Sequence, residues 1–138
     1  MAEELLKATG LYHVFESQAE EGNVVALRGL SVALRDGEAV AVVGPSGAGK
    51  STLLKALGGL LKPSAGVVQL AGEDITRMAP EQLVQHRRAT VSFIFQEGNL
   101  LPHLSARDNV LQPLRHAGIP HREAAARVAE MMDYLGIS

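Results

Sequence analysis

The chain has 138 residues, of which 46% are hydrophobic and 20% charged, so its length and composition are those of one globular domain with a single core. A net charge of -2 excludes strong bulk attraction to nucleic acid or anionic lipid, and the lack of cysteine excludes disulfide scaffolds and thiolate zinc sites. The N-terminus lacks signal-peptide features and no apolar run approaches the roughly 20 residues of a membrane span, which favours a soluble intracellular protein.

The N-terminal third predicts a small antiparallel β-element. Apolar and polar residues alternate loosely over residues 5–15, and the polar stretch 16–23 is typical of a hairpin loop. Residues 24–34 (VVALRGLSVAL) alternate more clearly, which predicts an antiparallel strand with Leu27 off its apolar face. The residues expected on that face are Ala26, Leu30, Val32 and Leu34.

The next segment predicts a strand, a glycine-rich loop and a helix in direct succession. Residues 38–43 (EAVAVV) form a continuous apolar run of the kind found in strands buried on both faces. The loop GPSGAGKST covers residues 44–52, and a leucine-rich helical pattern continues to about residue 61.

The remaining chain alternates short strands and helices. A short strand is predicted at 67–70, a helix at 80–90 and a second buried strand at 91–95 (VSFIF), followed by a loop to residue 104. The Ser-x-x-Asp spacing of Ser105 and Asp108 predicts a helix start. A last helix is predicted at 121–135, with an ion pair between Glu123 and Arg127 and a shared apolar face of Ala125, Val128, Met132 and Leu135.

The glycine-rich loop carries the clearest chemical signal. Gly44, Gly49, Lys50 and Ser51 fit the pattern G-x-x-x-x-G-K-[ST] between a predicted strand and a predicted helix. Glycines without a Cβ, including Gly47, let the backbone wrap closely around a phosphate and turn its N–H groups inward. The loop therefore predicts nucleotide phosphate binding.

The residues that follow the loop complete this prediction. The helix N-terminus favours an anion, and the Lys50 ammonium can reach the β- and γ-phosphates. Ser51 can offer its hydroxyl to the bridging Mg²⁺, and Thr52 a further backbone N–H. The loop alone does not separate ATPases, GTPases and kinases.

Three segments resemble the nucleotide-binding domain of ABC transporters. They are ALRGLSVALRDGEAVAVVGPSGAGKSTLL (26–54), GGLLKPSAGVVQLAGEDI (58–75) and FIFQEGNLLPHLSARDNV (93–110). The resemblance implies an α/β fold with a P-loop NTPase core, preceded by the antiparallel β-element. It also implies Mg-ATP as the ligand, held by Gly44, Pro45, Ser46, Gly47, Ala48, Gly49, Lys50, Ser51 and Thr52.

Further site residues follow from the resemblance. Phe15 falls at the position of the aromatic residue that stacks on adenine, although Tyr12 competes for this role and Phe15 could instead be a packed strand residue. Gln96 falls at the Q-loop glutamine, which helps hold Mg²⁺ and the attacking water. Lys50 and Gln96 are thus the expected catalytic residues.

The resemblance also implies partners and a location. Residues 93–110 look most like the subgroup that powers lipoprotein release and macrolide export, although importer subgroups share much of the same sequence. The expected partners are transmembrane permease subunits, contacted through the Q-loop region, and a second copy of the ATP-binding subunit, with no nucleic acid. This places the chain in the cytoplasm, peripheral to the inner face of the cell membrane.

Several family motifs do not occur in this sequence. None of Asp36, Asp74, Asp108 and Asp133 ends an apolar strand, as a Walker B aspartate would, and Glu97 is separated from its apolar run by Gln96. The signature motif and the switch histidine are also missing. We therefore expect residues 1–138 to be the N-terminal part of one incomplete ABC ATPase domain, which binds nucleotide but hydrolyses little.

Two other functions fit the same residues. A small phosphate-loop kinase would need a lid arginine, and a non-catalytic remnant could bind a permease through residues 97–104 without using ATP. Arg87 and Arg88 are expected on a solvated helix face. The histidines have no metal-ligand spacing and are expected at surface or loop positions; they are His13, His86, His103, His116 and His121.

The apolar run at residues 39–43 also has a consequence for folding. The resemblance implies that its neighbour in the parallel sheet is the Walker B strand, which this sequence lacks. An unpaired apolar strand edge promotes aggregation. We therefore expect the chain to be marginally stable or to associate.

Overall fold

The computed structural model describes residues 4–16 and 22–137, which form two compact units, Met1–Val91 and Ser92–Ser138. The first unit contains a four-stranded antiparallel sheet and two helices. Its elements are β1 (Glu4–Phe15), β2 (Val24–Arg35), α1 (Lys50–Leu57), β3 (Ala65–Leu70), β4 (Glu73–Asp74) and α2 (Pro80–Thr90). The second unit contains α3 (Ala106–His116) and α4 (His121–Tyr134).

The predicted β-element is confirmed as the centre of the sheet. Strands β1 and β2 pair antiparallel, β3 pairs with the other edge of β1, and the strand order is β2-β1-β3-β4. The hairpin loop predicted at 16–23 lies largely outside the described residues. The sheet is thus built on a long hairpin that β3 extends.

The apolar face of β2 differs from the prediction at Leu27. This side chain, expected off the apolar face, is only 4% exposed, whereas Leu30 and Val32 are half-buried. The pairing of β1 with β2 shifts register at several points, and Gly29 within β2 has a φ of +75°. Such irregularities change which side chains face the core, so strict alternation placed Leu27 wrongly.

The first unit has one hydrophobic cluster between α1 and the sheet. Leu53 and Ala56 of α1 are buried against Leu11, Leu27 and Val68 of three different strands. Burying side chains of this size stabilises a fold by roughly 1.5–3 kcal/mol each. The cluster therefore fixes the start of α1 on the sheet.

The strand predicted at residues 38–43 is absent. The structure assigns no strand there, and Val40 and Val43 are 56% and 87% exposed. A run of this kind becomes a buried strand only when a neighbouring strand pairs with its N–H and C=O groups and other elements cover its faces. The sheet of the first unit, as far as it is described, places none of its four strands beside this run.

We expect this exposed run to make the chain associate. Residues 39–43 combine high β-propensity with no charge and no proline, which is the composition that promotes intermolecular strand pairing. Val43→Lys should therefore raise the monomer fraction in size-exclusion chromatography at high protein concentration. Val84→Lys, at a 45% exposed position on α2, is the control and should change little. A wild-type chain that stays monomeric would contradict the expectation.

The second unit is a pair of packed helices. Leu111 of α3 and Ala124 and Val128 of α4 form its buried cluster. The predicted cap is confirmed, because the Ser105 hydroxyl accepts a hydrogen bond from the Asp108 N–H at 3.1 Å. The predicted Glu123–Arg127 ion pair also forms, at 2.6 Å.

Three expectations for this part of the chain were wrong. Leu135 is 60% exposed, since α4 ends one residue before it. Residues 92–95 form no strand, and Ile94 is fully exposed while Phe93 and Phe95 stack on each other at 5.6 Å. The described residues thus contain two hydrophobic clusters, one in each unit, where length and composition suggested a single core.

None of the helices within 4–16 and 22–137 combines the length and apolarity that crossing a bilayer requires.

Candidate functional site

The glycine-rich loop connects the exposed run at 39–43 to the first residue of α1. Gly49 is the N-cap of this helix and Lys50 its first residue, so the loop ends on the positive end of the helix dipole. The first turn of α1 contains no acidic side chain. Its first helical hydrogen bond runs from the Leu53 N–H to the Gly49 carbonyl at 2.8 Å, which leaves the preceding N–H groups without a carbonyl of the helix.

Gly49 fixes the position of the loop against the sheet. Its φ is +84°, and a Cβ at this residue would lie 2.3 Å from the Ala26 carbonyl oxygen in β2. Gly47 also has a positive φ, +79°, but a Cβ there would have no neighbour within 4 Å. The glycines thus play different roles, because Gly49 permits close contact with β2 while Gly47 permits only the backbone turn.

The Lys50 side chain folds back over the loop. Its ammonium donates to the carbonyl oxygens of Gly44 at 2.8 Å and Pro45 at 2.5 Å. An ammonium has three N–H donors, so these two bonds leave one for an anion within the loop. Lys50 and the positive helix end together form a site suited to a phosphate group, while within the loop the Ala48 N–H donates to the Pro45 carbonyl oxygen at 3.3 Å.

The structure places the two aromatic candidates in different surroundings. The Tyr12 ring lies over Gly29, where a Cβ would be 3.0 Å from the Tyr12 hydroxyl. Phe15 ends β1, is 46% exposed and contacts only the His13 ring among the aromatic contacts found in the described residues. The two rings are similarly exposed, 48% for Tyr12 and 46% for Phe15, so exposure does not separate them. Phe15 differs in lying at the end of β1, whereas Tyr12 packs over Gly29.

Phe15 and the phosphate loop meet the same end of the β1–β2 hairpin. Phe15 pairs with Val24, and Gly49 lies against Ala26, two residues further along β2. At a rise of about 3.4 Å per residue, these two attachment points are about 7 Å apart along the strand. The residues to which Phe15 and the loop are attached thus lie two positions apart at the same end of the hairpin.

Gln96 lies in the second unit, in an exposed bend before α3. Ser51 and Thr52 lie in the first turn of α1, with Ser51 exposed and Thr52 half-buried. The Ser51 hydroxyl and the Gln96 amide oxygen are neutral oxygen donors, which suit Mg²⁺. Residues 4–16 and 22–137 contain no cluster of three or more His, Asp and Glu side chains that could hold a metal ion by themselves.

Asp74, one of the carboxylates considered above, is engaged in a turn of the first unit. The Thr76 hydroxyl and backbone N–H both donate to its Oδ1, and Arg77 lies 3.4 Å from Oδ2. The hydrogen bond from the Thr76 hydroxyl is the main reason that the pKa of Asp74 is below its usual value, and burial opposes it. This carboxylate therefore acts as a local hydrogen-bond acceptor.

Asn109 is a residue that the sequence patterns missed. From α3, its Oδ1 accepts from the Leu101 N–H at 2.7 Å, and its Nδ2 lies 3.0 to 3.2 Å from three carbonyl oxygens, those of Leu101, Leu104 and Ser105. Asparagine side chains commonly make such bonds to nearby backbone, so an asparagine just after a loop was a weak signal. These bonds attach the loop that follows Gln96 to α3.

Asn109→Ala should therefore loosen this loop. Loss of these bonds, each worth about 1 kcal/mol net, should speed amide exchange at Leu101 by about tenfold or more. Hydrogen–deuterium exchange followed by NMR measures this, and Arg107→Ala in the same helix is the exposed control. Equal exchange at Leu101 in both variants would contradict the role given to Asn109.

Two histidines and one arginine are less exposed than expected. His13 is only 8% exposed, and half-buried His86 lies 2.9 Å from the Leu70 carbonyl oxygen through Nε2. Arg87 is also half-buried and lies 3.4 Å from the Gly59 carbonyl oxygen, whereas Arg88 is exposed as predicted. Periodicity missed these because each is placed by a contact distant in sequence.

A comparison with protein-family models matches residues 27–138 to the family described as ABC transporter. The chain belongs to the ABC transporter family. The match covers the phosphate loop, both helices of the second unit and the segment around Gln96. It confirms the resemblance that the three sequence segments indicated.

Curated relatives support the ABC assignment and the subgroup. The chain is 40% identical over 137 residues to LolD 2, a lipoprotein-releasing system ATP-binding protein of Caulobacter vibrioides, covering 99% of this chain and 59% of that protein. It is 44% identical over 118 residues to the macrolide export protein MacB of Salmonella typhimurium, covering 86% of this chain and 18% of MacB. An uncharacterized ABC transporter ATP-binding protein of Thermotoga maritima is 44% identical over 117 residues, covering 85% and 50%.

A solved structure supports the fold. The ATP-binding cassette MJ0796, in a dimeric post-hydrolysis state bound to ADP and Pi, superposes with a TM-score of 0.83 at 30% identity, covering 93% of this chain and 56% of that one. The predicted P-loop NTPase fold of ABC ATPases is thereby confirmed. The chain spans about half the length of this cassette and of the two ATP-binding proteins above. The comparisons give no support to a small kinase or a non-catalytic remnant.

Proposed function

We propose that this chain supplies the nucleotide-holding part of an ABC transporter ATP-binding subunit of the lipoprotein-release and macrolide-export type. The observation that carries the proposal is the Lys50 ammonium, held over the loop carbonyls at the start of α1. The family membership explains why a loop of this shape follows an apolar run and precedes a helix. In this proposal, residues 1–138 are the N-terminal part of one such ATP-binding domain.

The site fits a nucleoside triphosphate with Mg²⁺. Gly49 lets the loop backbone lie against β2 at a position where a side chain would not fit. The loop itself is exposed, and its N–H groups can donate to phosphate oxygens. Ser51 would offer a hydroxyl oxygen to Mg²⁺, and by the family resemblance Gln96 would offer an amide oxygen; the ion would supply positive charge that offsets the charge of the phosphates. The ligand-holding set comprises Phe15, the loop residues 44–49, Lys50, Ser51 and Thr52.

Each part of this set has a separate task. Lys50 and the loop N–H groups bind the phosphates, while Phe15 stacks on the base and orients it. Gln96, a neutral amide, accepts or donates at the attacking water without a change in its own charge. The chain's own residues thus hold and orient the nucleotide.

The partners are a transmembrane permease and a second ATP-binding subunit. Residues 97–104 form the permease contact, since Leu100 and Leu101 are 72% and 42% exposed in a loop that Asn109 holds. Exposed leucines on an ordered loop suit an apolar docking surface. The location that goes with these proposed partners is the inner face of the cell membrane, and the proposed role is to couple ATP binding and hydrolysis to export or lipoprotein release.

Titration calorimetry with Mg-ATP and with Mg-tripolyphosphate tests the proposal. We expect the chain to bind both, ATP more tightly by about tenfold because stacking on an aromatic ring is worth about 1–3 kcal/mol per base. Phosphate release should be slow, because none of the aspartates in the sequence ends an apolar strand. Failure to bind either ligand would contradict the proposal, and rapid turnover that Lys50→Ala abolishes would contradict the low hydrolysis.

A further inference from the structure

The His13 ring contacts the ring of Phe15 directly. Their centroids are 4.5 Å apart and their planes are inclined at 81°, an edge-to-face arrangement. Such perpendicular pairs place the positive edge of one ring against the negative face of the other. In either order, His13 leaves at least one face of Phe15 uncovered.

His13 is the less mobile member of this pair. It is 8% exposed, compared with 46% for Phe15, and it is paired with Leu27 across the hairpin. A buried ring packed in a sheet has few alternative rotamers, whereas a half-exposed ring at a strand end has several. The His13 ring is therefore a fixed surface against which Phe15 rests.

Hydrogen bonding does not account for one polar atom of this buried ring. Within the described residues, His13 Nδ1 is buried and has no hydrogen-bond partner. A buried nitrogen without a partner destabilises a fold, so an apolar side chain at this position would serve packing better. The interaction that the His13 imidazole does make in the structure is its ring contact with Phe15.

We propose that His13 is a positioning residue that fixes the plane of Phe15 for stacking on a purine base. This inference rests on the proposed function, in which Phe15 contacts the base. Its basis is the contact between a buried ring and a half-exposed ring at the end of the hairpin where the phosphate loop is attached. A ring that is already held loses less conformational entropy when a base stacks on it.

Binding of ATP and tripolyphosphate by single and double variants of the full chain tests the inference. Since an edge-to-face pair is worth about 0.5–1.5 kcal/mol, His13→Ala should raise the Kd for Mg-ATP about three- to tenfold. The Kd for Mg-tripolyphosphate, which has no base, should change less than about twofold. His13→Phe, which keeps an aromatic ring, should restore ATP binding. Adding His13→Ala to Phe15→Ala should have no further effect, because the ring that His13 positions is already gone.

Other outcomes separate the two proposals. The role of His13, but not the proposed function, is overturned by either of two results. In one, His13→Ala weakens the binding of Mg-ATP and of Mg-tripolyphosphate equally. In the other, His13→Ala leaves the binding of Mg-ATP unchanged while Phe15→Ala weakens it. A wild-type chain that binds no ATP, or ATP binding that is indifferent to Phe15→Ala, overturns the function assigned to this site and the inference with it. If His13→Ala does not fold, His13→Leu fills the volume without an aromatic ring. This variant should weaken the binding of Mg-ATP and leave the binding of Mg-tripolyphosphate unchanged.

Discussion

Lys50→Ala should weaken the binding of Mg-ATP and of Mg-tripolyphosphate by about 100-fold, since hydrogen bonds to charged groups contribute about 1.5–3 kcal/mol each. The ammonium lies 2.8 Å from the Gly44 carbonyl oxygen and 2.5 Å from that of Pro45, at the centre of the proposed phosphate site. Because this contact is with phosphates, both ligands should be affected equally. Titration calorimetry measures the change.

Lys55→Ala is the matched control for this variant. Lys55 is an exposed lysine in the last turn of α1, so its removal changes the net charge equally without altering the loop. We expect affinities within about twofold of the wild-type chain, since an exposed charge in the last turn of α1 interacts with the ligand only through water and salt. Equal losses in the two variants would show that net charge, and not the position of Lys50, determines binding.

Gly49→Ala should destabilise the first unit by about 3 kcal/mol or more, because it combines a left-handed backbone with a steric clash. The new Cβ would lie 2.3 Å from the Ala26 carbonyl oxygen, which belongs to a paired strand and cannot move freely. Either the start of α1 or β2 must shift. Urea unfolding followed by circular dichroism gives the change in the free energy of unfolding.

Gly47→Ala separates the two causes. Its φ of +79° is close to the +84° of Gly49, but a Cβ at Gly47 meets no atom within 4 Å. We expect a loss of about 1–2 kcal/mol from backbone strain alone. A similar loss at both glycines would contradict the steric role given to Gly49 and would assign its effect to φ only.

The exposed apolar runs show where sequence patterns fail. Residues 38–43 and 91–95 have the composition of buried strands, yet neither is a strand in the structure. Composition reports what a segment would gain from burial, but a strand also needs a neighbour to satisfy its N–H and C=O groups. The pattern therefore correctly indicated that these residues favour a buried strand, but it could not show whether a neighbouring strand is present to pair with them.

Local signals, in contrast, were reliable. The Ser105 cap, the Glu123–Arg127 ion pair and the helix over Pro80–Thr90 all depend on residues within four positions of one another. Such interactions follow from helix geometry and are indifferent to distant packing. Those predictions were confirmed for that reason.

The sequence by itself determined the family, the phosphate loop and the residues expected to hold nucleotide, since the loop pattern and the three segments are contiguous and need no tertiary information. Tertiary structure decided what depends on distant contacts. It placed Gly49 against Ala26, buried His13 beside Phe15 and fastened the loop after Gln96 to Asn109. These contacts depend on strand register and on how a loop folds back on a helix, which periodicity within a single segment cannot encode.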